Sequence, residues 1–239
     1  MPALPCRRPV ALFAGVALAL AAPVSSSAED DALDRVRAQA GTWLVAPDDG
    51  QPGCRVTLEV EPKPAGRVAR AAPDCGARIA NLRELATWSF AEGGVSLNDA
   101  AGRRLMLFRE GEGGVLKTPG DGVPNHLMVQ ARPGVDRAPH APAIFGTWTM
   151  QRPGGAAICT ATFRDRPPAG GEESFALDLD PGCDPAVRKL KLVAWRVEEF
   201  ALVLYGTEGA SLRFEPLPGG AFTKDMAEGG LPLRLLPRK

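Results

Sequence analysis

The same run of scarce residues occurs twice in this chain, in the same order and at nearly the same spacing. Gly41-Thr42-Trp43 is followed by Cys54, Cys75 and Trp88, and Gly146-Thr147-Trp148 by Cys159, Cys183 and Trp195. Trp148 lies 105 residues after Trp43 and Cys159 lies 105 after Cys54, while Cys183 follows Cys75 by 108 and Trp195 follows Trp88 by 107. Leu97, Gly102, Leu105 and Leu107 return as Leu204, Gly209, Leu212 and Phe214 at the single offset of 107. With only 4 tryptophans and 5 cysteines in the chain, such agreement is not chance. The chain is a tandem duplication of a unit of roughly a hundred residues, the size of an ordinary domain.

Arg7 and Arg8, an apolar run over residues 10–22 and the small residues Ser26, Ser27 and Ala28 have the layout of a secretory signal. This predicts removal of residues 1–28 and a mature chain that starts at Glu29. The apolar run, at 13 residues, falls short of the ~20 a membrane span needs, and no other stretch approaches that length, so no span is expected. Cys6 precedes the run and leaves with the signal. Four cysteines remain, two per copy, in a chain bound for the periplasm or the exterior, where disulfides persist. Three pairings are possible, and duplication favours the local one, Cys54 with Cys75 and Cys159 with Cys183. Closing such a loop contributes roughly 3 kcal/mol by restricting the unfolded chain, a large share for a domain with a thin core. A zinc site would require Cys-x-x-Cys spacing or histidine partners, which neither copy has.

Residues 29–40 read as the one clear helix, with Asp30 or Asp31 as its cap and Leu33, Val36 and Ala40 on one face. After Thr42 the period becomes two. Cys54, Val56, Leu58 and Val60 alternate with Arg55, Thr57, Glu59 and Glu61, as in a half-buried strand. Glu92-Gly93-Gly94 and Asp99-Ala100-Ala101-Gly102 supply turns between apolar runs. Seven or eight short strands per hundred residues make either a sandwich or a barrel, and closure, which removes exposed edges, favours a small antiparallel barrel of about eight strands. The expected class is therefore all-β, two tandem barrels with one disulfide each, behind a short N-terminal helix or trunk. Trp43, Trp88, Trp148 and Trp195 are expected in the cores. Residues 77–85 and 185–191 are expected to form helical turns at one barrel end. The expected divisions are a signal over 1–28, a first domain over 29–132, a Pro-rich semi-rigid linker over 133–143 and a second domain over 144–239.

Little in the chain points to catalysis. His126 and His140 have no nucleophile motif beside them, every mature cysteine is assigned to a disulfide, and the acidic residues are scattered. Without Arg7 and Arg8 the chain carries 26 basic against 28 acidic residues, with no basic patch to suggest nucleic acid. A binding protein without a cofactor is expected, not an enzyme.

A Gly-x-Trp strand, a cysteine about ten residues on, a second some twenty later, a Trp strand and a Leu-x-x-x-x-Gly hairpin, behind a signal and a short leader, resemble the Inh-type bacterial inhibitors of serralysin-like alkaline metalloproteases. The resemblance implies an eight-stranded barrel with one disulfide, resident in the periplasm, that binds a secreted bacterial zinc metalloprotease as a monomer. It also implies an extended N-terminal trunk that enters the protease cleft with its terminal amine at the catalytic zinc. Here that trunk is Glu29, Asp30, Asp31, Ala32 and Leu33, with the amine of Glu29 as the group meeting the partner's metal. The family's trunk starts with small uncharged residues, whereas this one starts acidic. The second copy has no free amine. A rival reading, a module that binds a small ligand or an envelope protein, predicts a lined cavity where an inhibitor barrel is filled with side chains.

Overall fold

A computed structural model describes residues 26–111, 114–120, 124–169, 171 and 173–238. The expected signal over residues 1–25 lies outside them. Among the described residues, those up to Ala38 belong to one unit and those from Gln39 on, which hold both barrels, to another.

Helix α1 runs from Ser26–Gln39 and so takes in all five residues of the expected extended trunk. The local sequence explains this difference. Three alanines and two arginines are good helix formers, Glu29 lies in the first turn where the helix dipole favours negative charge, and Asp34 pairs with Arg37 one turn later at 3.0 Å.

The first barrel is built from β1 (Gly41–Pro47), β2 (Cys54–Lys63), β3 (Gly66–Ala71), β4 (Thr87–Ala91), β5 (Gly94–Asn98), β6 (Arg104–Glu110), β7 (Leu116–Lys117) and β8 (His126–Gln130). The second is built from β9 (Gly146–Gln151), β10 (Ala157–Phe163), β11 (Phe175–Leu179), β12 (Leu192–Glu198), β13 (Ala201–Gly206), β14 (Ser211–Pro216), β15 (Phe222–Lys224) and β16 (Arg234–Pro237). Every neighbouring pair is antiparallel, and each barrel closes by pairing its last strand with its first, β8 on β1 and β16 on β9. The registers repeat as well. Val45 faces Cys54 and Met150 faces Cys159, while Trp88 faces Leu97 and Trp195 faces Leu204.

Disulfides join Cys54 to Cys75 and Cys159 to Cys183. Each ties the second strand of its barrel to a short helix, α2 (Cys75–Arg78) or the segment leading into α3 (Pro185–Arg188). The Asp184 carboxylate caps α3 by accepting from the Ala186 amide at 2.8 Å, and Pro185 supplies a first position that needs no N–H. The turn expected over 77–85 is α2 followed by a 3-10 turn, Ala80–Leu82.

Side chains fill both interiors. Trp88, Phe108, Leu97 and Met128 close the first, and Trp195, Phe163, Phe214 and Met150 the second, all essentially without exposure. A buried indole N–H needs an acceptor, and each tryptophan has one: Trp88 donates to the Glu59 carbonyl at 2.9 Å and Trp195 to that of Ala176 at 3.2 Å. Trp148 is buried, but Trp43, expected in the core, is only half-buried at the end of β1. The alternation of β2 also stops early. A register shift between Leu58 and Pro62 lets the hairpin run on past β1 and turns Val60 to solvent.

Candidate functional site

Each barrel has one mouth at which its leader joins the sheet. In the first copy Gly41 pairs with Leu58, and β2 continues beyond that point to Lys63 before returning at Gly66. The hairpin between β2 and β3, the turn between β4 and β5 and the end of β8 therefore share the mouth with the start of β1. Two apolar side chains stand open there, Val60 at 46% exposure and Phe90 at 47%. The Phe90 ring meets the edge of Trp88 at 5.4 Å, so a core aromatic supports the exposed one. Trp43 completes the rim, its indole donating to the Gln39 carbonyl at 2.9 Å.

The turn beside Phe90 is held by charge. Glu92 takes a positive φ of 49° ahead of Gly93 at 77°, the pair of left-handed residues that a tight hairpin demands. Hydrogen bonds from Arg104 and then Arg109 hold the Glu92 carboxyl below the usual carboxylate range. The group stays ionised and the turn stays pinned to β6 at any pH near neutrality.

The leader residues Glu29, Asp30, Asp31, Ala32 and Leu33 all lie on α1, exposed to solvent. Among the described residues no group of three or more His, Cys, Asp or Glu side chains is arranged to hold a metal ion. His126, at the start of β8, is half-buried; burial pushes its pKa down, opposed by the carboxylates of Asp48 and Asp49. His140 sits between the barrels, where a Cβ on Gly50 would fall 2.7 Å from its own Cβ.

Space large enough for a small molecule lies at the mouth of the second barrel, against Ile144, Trp148 and Phe222. A cleft of about 830 Å³ runs between the loop after β1, the segment joining the barrels and the loop before β15. Both barrel interiors are filled with side chains, and the cleft reaches the second one only at its mouth.

The corresponding mouth of the second copy is differently placed. Its turn between β12 and β13 carries Glu199 at a φ of 52°, equivalent to Glu92, but Phe200 of that turn packs on the outer face of the first barrel. Residues 133–143, read from sequence as a spacer, hold the buried side chains Val135 and Ala138. The sequence did carry a signal for this. Leu44-Val45-Ala46 is apolar on both faces of β1, where Thr149-Met150-Gln151 in β9 alternates.

A comparison with curated proteins finds no match. The model of the family described as "Protease inhibitor Inh" matches twice, over residues 33–128 and again over 138–235.

Proposed function

We propose, because this chain belongs to the Inh family of protease inhibitors and carries that unit twice in tandem, that it is an exported inhibitor of a secreted zinc metalloendopeptidase of the serralysin type. The leader Glu29, Asp30, Asp31, Ala32 and Leu33 would occupy the protease cleft, with the terminal amine of a chain processed before Glu29 directed at the partner's zinc. The observation that carries this reading is the leader itself. From Glu29 to Arg35 every side chain is exposed, immediately ahead of a barrel whose interior is full.

The chemistry is favourable at neutral pH. An α-amine has a pKa of about 7.7 to 8.0, so giving up its proton to bind zinc requires little free energy. A catalytic zinc keeps one position for water, and an amine there displaces the nucleophile. Insertion requires the first turns of α1 to open. A 14-residue helix is near the length at which isolated helices are marginal in water, so the opening lowers affinity only modestly. Two disulfides and the absence of any described helix long and apolar enough to cross a membrane are compatible with life in the periplasm or outside the cell.

The test is the purified mature chain against a serralysin-type enzyme, where full activity at micromolar inhibitor excess rejects the target class. A chain with one residue added before Glu29 should inhibit more weakly. Equal potency would remove the amine from the mechanism and keep the inhibitor.

A further inference from the structure

The two barrels share a fold but not an outer face. In the first, the outward pairs of the closing ladder are Leu44 with Val129 and Ala46 with Leu127. The same ladder positions in the second are Thr149 with Leu236 and Gln151 with Arg234. The outside of a filled barrel is ordinarily its wet, polar side, yet Leu44, Ala46 and Leu127 are buried.

What covers them comes from the second copy. Val135 and Ala138, exposed by only 6% and 2%, pack on this face from the segment between the barrels, and Phe200 joins them from the turn between β12 and β13. Polar contacts seat the segment. The Gly53 amide donates to the Asp136 carbonyl at 2.7 Å, Arg55 donates to the Arg132 carbonyl at 2.9 Å, and Arg132 pairs with Glu215 of β14 at 2.8 Å. Gly134, at a φ of 74°, lies so near Pro218 that a Cβ would stand 2.8 Å from its ring. At that point the fit admits only glycine.

The repeat offset identifies what has been buried. At 105 residues, Glu29 and Leu33 of the first leader correspond to Gly134 and Ala138. The stretch equivalent to the inhibitory trunk is thus the stretch lying on the first barrel. At the strand ends equivalent to the first mouth, Phe200 meets the first barrel, while Glu215 and Pro218 meet Arg132 and Gly134 of the seated segment. Phe200, Glu215 and Pro218 all lie at the end where β9 begins, because Gly146 pairs with Phe163, Glu198 with Ala201 and Pro216 with Phe222.

We propose that the second copy is an intramolecular clamp. Its leader lies on the β1–β8 flank of the first barrel and Phe200 at the rim of its mouth packs there too, so a chain presents one unobstructed mouth and engages one protease molecule. The single-partner clause rests on the inhibitor reading above; the clamp does not.

The experiment uses the full exported chain and has two arms. In the first, trypsin is applied to the wild type and to Phe200→Asp and Val135→Asp variants, and cleavage at the Arg137–Ala138 bond is timed. Phe200 lies in a turn outside both barrel interiors, so its variant keeps both barrels, verified by far-UV circular dichroism. The seated segment should be cut at least about tenfold more slowly in the wild type, as expected when opening must precede cleavage. Equal rates in wild type and F200D overturn the clamp. In the second arm, native mass spectrometry records the wild type with a threefold excess of a serralysin-type protease. A complex of one to one supports the proposal, and one chain with two proteases overturns it. A resistant segment with no protease bound supports the clamp and overturns the inhibitor reading.

Discussion

The Trp148 indole donates to the carbonyl of Ile144, four residues upstream, at 2.7 Å. Trp43 makes the same bond to Gln39 at 2.9 Å. In each copy the bond closes on the residue that leads into the first strand, although one leader is α1 and the other ends in a 3-10 turn, Ala141–Ala143. Only the Trp148 bond is fully buried. Trp148→Phe strands a carbonyl away from water and should destabilise the chain by about 1–3 kcal/mol, whereas at Trp43 water can replace the indole. Urea midpoints of W148F and W43F will measure the difference, and equal losses contradict it.

The two disulfides close loops of 21 and 24 residues by sequence separation. Each should contribute roughly 3 kcal/mol, which for a body of this size corresponds to about 6–12 °C in Tm. Replacing both cysteines of either pair by alanine should produce that drop by calorimetry. A loss below about 1 kcal/mol for either pair would mean that the reduced chain keeps its loop closed by packing alone.

How much of this was legible in the sequence depends on where the information sits. The barrels, the disulfides and the burial of Trp88 and Trp195 follow from scarce residues repeated in step, because a duplicated core must be filled twice in the same way. Val60 was misread because alternation says nothing of a bulge, and here the bulge after Leu58 reverses the face. The segment over 133–143 was read as a semi-rigid linker from its prolines, and composition alone does not show that Val135 and Ala138 are buried against the β1–β8 flank. The exposed mouth with Phe90 was not foreseen, since a lone aromatic at a strand end is as common inside as outside. The leader's helix was foreseen; the extended form implied by the resemblance is not the form it takes here.

Acid should weaken the first barrel through His126. Burial is the main cause of its lowered pKa, so the folded state holds the neutral ring more strongly than the unfolded state does. The unfolded chain then binds more protons below the ordinary value of 6.5, and stability rises with pH there. Its contribution is complete above about pH 6.5 and is lost as the pH falls from that value through the lower folded pKa. Tm measured between pH 7 and pH 5 should decline, and His126→Gln should flatten the curve. An unchanged slope would assign acid sensitivity to other groups.

The two core tryptophans should not be equally important. Trp195 stacks on Phe175 at 4.9 Å and meets the edges of Phe163 and Phe145 at 5.2 and 5.7 Å. The ring contact described for Trp88 is with Phe90, at 5.4 Å, and Phe90 is itself half in solvent. Truncation to alanine removes transfer free energy and leaves a cavity in both cases, together about 3–5 kcal/mol. Each aromatic pair is worth roughly 0.5–1.5 kcal/mol beyond area, so Trp195→Ala loses more than Trp88→Ala by about 1–3 kcal/mol. Because the barrels share one compact unit, the comparison requires denaturation followed by two probes, the fluorescence of the remaining tryptophans and far-UV circular dichroism. If W88A proves the more damaging, the first barrel depends on its single buried indole more than the ring geometry allows, and the ranking fails.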